Sequence, residues 1–111
     1  MFADSGSHLV SVLLLNVEEN ESAHLVEQAM SLMKRKGDLQ GFVGGDIFQS
    51  EDRTRVLIIT EWSSRHDWSM SQWDSEVSEN LVSIVGTASA IDSRTYYRAA
   101  RISTDKSSSN S

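Results

Sequence analysis

The chain contains no cysteine. Disulfides, thiolate nucleophiles and cysteine-based metal sites are therefore excluded. Basic residues are scarce. Ten Lys and Arg stand against sixteen Asp and Glu, which gives a formal net charge of −6 and a pI of about 4.9. The basic residues form no stripe, and an acidic chain is repelled by phosphate backbones and anionic bilayers. Neither nucleic acid nor a membrane is an expected partner. Long apolar runs are missing as well: runs such as Val12–Leu15 are far too short to span a bilayer. Residues 1–7 have neither the basic nor the apolar segment of a signal peptide, so a cytoplasmic location is expected. Ser5-Gly6-Ser7 and Gly44-Gly45 lack the glycine spacing and the lysine of a phosphate loop. His8 and His24 have no partner at ligand spacing, so no metal is expected. No Ser-His-Asp triad can be singled out among so many serines and so few histidines.

The 111 residues are enough for one domain. A domain of this size buries only about two-thirds of its chain's surface, so a second subunit would help it. The pattern divides into a loose N-terminal segment (1–7), an ordered domain (8–102) and a polar, serine-rich tail (103–111) expected to be disordered.

Within the domain, His8 to Val17 reads as a strand whose continuous apolar centre suggests cover on both faces. Asn20 is a good N-cap for a helix carrying Val26, Ala29, Met30 and Met33 at helical spacing. Lys34-Arg35-Lys36-Gly37 then supplies three basic residues and a terminating glycine. Phe42 to Gln49 is a second strand, with a bulge or bend expected at Gly44-Gly45. Arg55 to Trp62 is a third, joined to the second by the polar turn at Ser50–Arg53, so the two form an antiparallel hairpin. Ser64-Arg65-His66-Asp67 resembles a capping box with aspartate as its acid. It opens a second helix with the apolar stripe Met70, Trp73, Val77, Leu81 and Ile84, ending near Gly86. Arg94 to Ile102 alternates as a last strand.

The order β-α-β-β-α-β is the ferredoxin-like motif, an α+β fold with a four-stranded antiparallel sheet. Two helices cover one face of that sheet, yet strands one and three are apolar on both. The uncovered face would be a large exposed apolar patch, which soluble monomers avoid. A homodimer packed through its sheet faces is therefore expected.

Leu39-Gln40-Gly41-Phe42, the hairpin, Thr60-Glu61-Trp62-Ser63-Ser64 and the helix opening His66-Asp67-Trp68 resemble the antibiotic biosynthesis monooxygenase family, over roughly residues 8–102. The resemblance implies a dimeric α+β barrel. It also implies oxidation of a small aromatic, polyketide-like substrate by molecular oxygen without metal or flavin, in a pocket between sheet and helices. Trp62 stands where anthrone-type members have a pocket tryptophan, and Trp68 where they have a tyrosine. Ile58 replaces an asparagine, and Phe48 falls at a strand-two histidine. The haem-degrading relatives need a histidine in the later turns of the second helix. His66 lies at that helix's start, so no haem, and no other cofactor, is expected.

On the residues alone, Trp62 and Trp68 could form a flat aromatic slot, although large aromatics are usually core. Trp73, on the helix stripe, reads as core. His66 could act as a general base, although an exposed first-turn histidine is commonplace. Tyr96 and Arg98 share one face of the last strand, where the arginine could hold an anionic or phenolate substrate or make dimer contacts. The expected catalytic residues are thus Trp62 and His66, with Phe48, Ile58, Trp68, Tyr96 and Arg98 binding substrate. An isomerase, cyclase or lyase acting on a small carbonyl compound, and a non-catalytic dimeric small-molecule-binding module, are the alternatives.

Overall fold

A computed structural model describes residues 8–104. Four strands, β1 (Leu9–Asn16), β2 (Phe42–Gln49), β3 (Arg55–Trp62) and β4 (Ala90–Tyr97), form one antiparallel sheet in the order β2-β3-β1-β4. Three α-helices accompany them: α1 (Ser22–Gly37), α2 (Arg65–Ser71) and α3 (Ser75–Thr87). This is the ferredoxin-like α+β arrangement. Expectations about residues 1–7, and about the tail from residue 105 onward, lie outside the described residues.

Alternation assigns the faces. Leu9, Ser11, Leu13 and Leu15 of β1 pair with Trp62, Thr60, Ile58 and Val56 of β3, all toward the helices. The core of Leu15, Leu25, Ala29, Leu32, Val56, Ile58, Val77 and Ile84 lies in that layer. Val10, Val12 and Leu14 pair with Glu61, Ile59 and Leu57 on the opposite, open face. Both central strands thus carry aliphatic side chains on both faces.

The bulge in β2 has a consequence for side-chain direction. Phe42 pairs with Trp62, but the next pair is Gly44 with Glu61, so Val43 is the extra residue. An inserted residue reverses the alternation beyond it. Phe42 therefore faces the helices while Phe48, paired with Leu57, faces the open side. Gly45 is required here by space. A Cβ on it would lie 2.5 Å from Met33 Sδ and 2.8 Å from the Ile59 carbonyl oxygen, whereas one on Gly44 would meet nothing within 4 Å.

Local chemistry explains the departures from the sequence-based expectation. The first helix is entered through a 3-10 turn, Glu19–Glu21, so Asn20 is inside that turn and caps nothing. Gly37 is the last residue of α1 rather than a left-handed terminator, and the positive φ falls at Gly41 instead (φ 87°). Ser64 does cap α2, accepting the Asp67 N–H at 3.1 Å. The expected single second helix is two helices. Asp74 starts a new one by accepting the Val77 N–H at 3.0 Å. The break turns Trp73 outward, 82% exposed, so it is not core. Met70 is exposed too. The last strand runs from Ala90 to Tyr97, not from Arg94 to Ile102. Its eight residues match the eight of β1, and beyond Leu9 no described strand residue is left for it to pair with.

Gly45→Ala should lower stability by about 1–3 kcal/mol through overpacking against a backbone carbonyl. Gly44→Ala should change it by less than about 0.5 kcal/mol, as at a surface position. Urea unfolding of the two variants checks this; equal midpoints would show that the close approach at Gly45 is not a constraint.

Candidate functional site

The expected site residues are divided between the two faces of the sheet. Trp62 and Ile58 lie beneath the helices, 0% and 1% exposed. His66 and half-buried Trp68 belong to α2. Phe48, Tyr96 and Arg98 are not with them. Phe48 is on the open face, 54% exposed, moved there by the bulge. Tyr96 pairs with Val10, on the same open face. Arg98 reaches Glu61, also on that face, at 3.7 Å.

The Trp62 end of the helix–sheet layer combines aromatic and polar groups. The Trp62 indole N–H donates to Thr60 Oγ1 at 3.0 Å. Its ring meets Phe42 edge-on, with centroids 5.4 Å apart and planes at 81°. Thr60 pairs with Ser11, which pairs in turn with Thr95, so a polar row crosses the sheet beside the Trp62–Leu9–Tyr97 row. Ser11 and Thr60 are buried. Full burial of Trp62 means that no water-sized space touches its ring in this conformation. Ser11 and Thr60 were missed in sequence because each interrupts an aliphatic strand by one residue. The signal was their helix-facing parity with Trp62.

Above this end sits α2, which fully buries only Ser71. Its start is tied to the α1–β2 loop. Ser63 N–H donates to the Gly41 carbonyl at 2.7 Å, and Ser63 Oγ donates to Asp67 Oδ2 at 2.8 Å. The Asp67 side chain fills the space where a Gly41 Cβ would stand, which, with its φ, explains the glycine. Arg65 lies over the Trp68 ring, its guanidinium carbon 5.6 Å from the centroid. A groove of about 240 Å³ separates the loop from the helix, lined by Leu39, Gln40, His66, Asp67, Met70 and Ser71.

The far end of α2 is fixed through α3. Arg35 of α1 grips Asp74 with two hydrogen bonds, Nε to Oδ2 at 2.9 Å and Nη2 to Oδ1 at 2.6 Å. The guanidinium, followed by the Val77 N–H, holds the Asp74 carboxyl at about 2, below the usual carboxylate range. The same pair raises the Arg35 pKa.

On the open face, His8 Nδ1 lies 2.7 Å from Glu61 Oε2. Despite partial burial, the Glu61 carboxyl is held below its ordinary value, first by the His8 hydrogen bond and then by the Arg98 charge. A cleft of about 260 Å³ beside the bulge is lined by Val10, Val43–Asp46, Ile59, Glu61 and Arg98. Among the described residues no cluster of three or more His, Asp or Glu could hold a metal ion, and no helix is long and apolar enough to cross a membrane.

No family model matches the chain, and a search of curated proteins returns no match. Solved structures do match. SnoaB, a cofactor-independent oxygenase from Streptomyces nogalater solved as a point mutant, superposes with a TM-score of 0.80 at 9% identity, over 86% of this chain and 97% of that one. A proposed antibiotic biosynthesis monooxygenase from Nitrosomonas europaea gives 0.76 at 16% identity, over 85% and 92%. A conserved protein from Methanosarcina mazei gives 0.78 at 11% identity, over 88% and 99%. The fold is thus that of the antibiotic biosynthesis monooxygenase-like α+β proteins.

The Arg35–Asp74 pair sets an acid response. A depressed carboxyl contributes stability that is complete above the unfolded-state value, near 4, and is lost as pH falls toward about 2. Asp74→Asn should be less stable than the native chain at neutral pH, and the gap should close over that window. Thermal midpoints measured from pH 6 downward check this; a gap that stays constant would mean that the charge on Asp74 is not what holds the α2–α3 junction.

Proposed function

We propose that the protein is a cytoplasmic, cofactor-independent monooxygenase-like enzyme acting on a small aromatic, polyketide-like substrate between sheet and helices. The observation that carries this reading is Trp62. Its indole is oriented by Thr60 beside a buried polar row, in a fold shared with a cofactor-independent oxygenase. In such a reaction an electron-rich substrate supplies the reducing electrons to oxygen. The protein supplies orientation and a layer from which water is excluded. In this reading Trp62, Trp68 and Ile58 supply the aromatic and apolar wall, and His66, which lines the groove under α2, takes a proton from an entering hydroxyl group.

Substrate entry requires α2 to move, because no space adjoins Trp62 while it is closed. The helix is suited to this. It has seven residues, buries little, and is separated from α3 by residues 72–74. The same packed tryptophan favours a second reading, a non-catalytic binding module. Oxygen uptake separates the two. Purified protein offered anthrones and naphthols should consume oxygen, and Trp62→Phe should reduce the rate by about tenfold or more, the loss of one oriented contact. No uptake across the panel would leave the binding module.

The open face supports a homodimer. Val10, Val12, Leu14, Leu57, Ile59 and Phe48 make one apolar surface, rimmed by Asp46, Asp92, Arg94 and Glu61. A second copy laid sheet to sheet would bury it, with Tyr96 and Arg98 at the edge of the contact. Val12→Glu, at the centre, should convert dimer to monomer in light scattering. A native chain that is already monomeric at micromolar concentration would overturn the assembly.

A further inference from the structure

One end of the open face is hollow. Gly44 pairs with Glu61 across β2 and β3, and side chains of directly paired residues stand side by side on one face. Glycine offers none, so the space beside the Glu61 side chain is empty, and a Cβ on Gly44 would meet nothing within 4 Å. The extra residue at Val43 sets this register. The result is the cleft of about 260 Å³ beside the bulge. Clefts that take drug-sized molecules run from roughly 300 to 1,000 Å³, so the occupant of this one is small.

Three kinds of group line the cleft. Val10, Val43 and Ile59 are aliphatic, Arg98 brings a guanidinium, and Glu61 and Asp46 bring carboxylates. The charges do not satisfy one another. Arg98 Nη2 stands 3.7 Å from Glu61 Oε1, within reach of its charge but beyond hydrogen-bond length. The other oxygen of Glu61 is engaged by His8 Nδ1 at 2.7 Å. Asp46 lies two residues along β2 from Gly44, on the same face, and makes no ion pair among the described residues. A guanidinium matches a carboxylate in planar, two-pronged fashion, and a carboxylate such as Asp46 matches an ammonium. A ligand with a charge of one sign would satisfy one wall and be opposed by the other. A ligand with both, and a short aliphatic body, meets all three.

We propose that this cleft binds a free α-amino acid with an aliphatic side chain. The ligand carboxylate lies on Arg98, its ammonium on Asp46, and its side chain on Val10, Val43 and Ile59. The cleft is complete within one chain. In a sheet-to-sheet dimer it would lie at the edge of the contact, where Arg98 stands. It shares no residue with the Trp62 layer on the other face, so it stands or falls apart from the oxygen chemistry.

Calorimetric titration of the native chain with L-leucine, L-leucinamide and isocaproate is the test. The amide keeps the ammonium and lacks the carboxylate, and isocaproate does the reverse. Leucine should bind, and each analogue should bind about tenfold more weakly, through the loss of one charge-assisted contact. The variants should then cross over. Arg98→Met should weaken leucine by about tenfold and leave leucinamide unchanged. Asp46→Asn should weaken leucine to a similar degree and leave isocaproate unchanged. Gly44→Leu, which fills the hollow and keeps every charge, should abolish leucine binding while the urea midpoint stays in place. No leucine binding at millimolar concentration would overturn the proposal. So would equal affinity for leucine and either analogue, because only one end of the ligand would then be held. Full affinity in Gly44→Leu would place the ligand elsewhere and overturn it too.

Discussion

Side-chain parity on the paired strands β1 and β3 is the constraint on which the rest of the molecule depends. Eight residue pairs lock the two strands together, so each position is committed to one face. Leu9, Leu15, Val56 and Ile58 can then build a core with α1 and α3. The same lock commits Val10, Val12, Leu14, Leu57 and Ile59 to the opposite face, where no described element covers them. A one-residue slip would exchange the two sets and place Glu61 under the helices. Stability and the exposed apolar face therefore have a single origin.

The helix layer combines the apolar packing of α1 and α3 on the sheet with polar contacts at its joints. Arg35 and Asp74 tie α1 to the start of α3, and Asp74 also caps that helix. Ser63, Ser64 and Asp67 fix the start of α2 against Gly41. Between these ties α2 contributes little burial of its own. Of the three helices α2 therefore has the least buried surface to lose, while α1 and α3 are anchored to the sheet by their apolar stripes.

Much of this was legible in the sequence. The order of elements, the bounds of β2 and β3, the Ser64 cap and an irregularity at Gly44-Gly45 all follow from local patterns, and those patterns agree with the fold. What was not legible depended on partners distant in sequence. Asp74 divides the second helix because Arg35 meets it from another element, and the stripe that includes Trp73 by spacing ends there. The end of β4 is set by the length of β1, so alternation as far as Ile102 carried no weight. For the candidate site, a bulge was readable but its effect on Phe48 was not, because reversal of parity appears only once the register with β3 is known.

The bulge also bears on association through the margins of the sheet. β2 and β4 are the outer strands, and each offers unpaired backbone groups along one side. Strand edges of that kind invite open-ended addition of further chains. In β2 the extra residue at Val43 and the charge of Asp46 interrupt the flat, regular edge that an incoming strand would need. In β4, Asp92 and Arg94 place charge along the other margin, paired with each other at 3.1 Å. Growth along the hydrogen-bonding direction is thereby discouraged at both ends, and fibrillar stacking is disfavoured in a protein that exposes so much aliphatic surface.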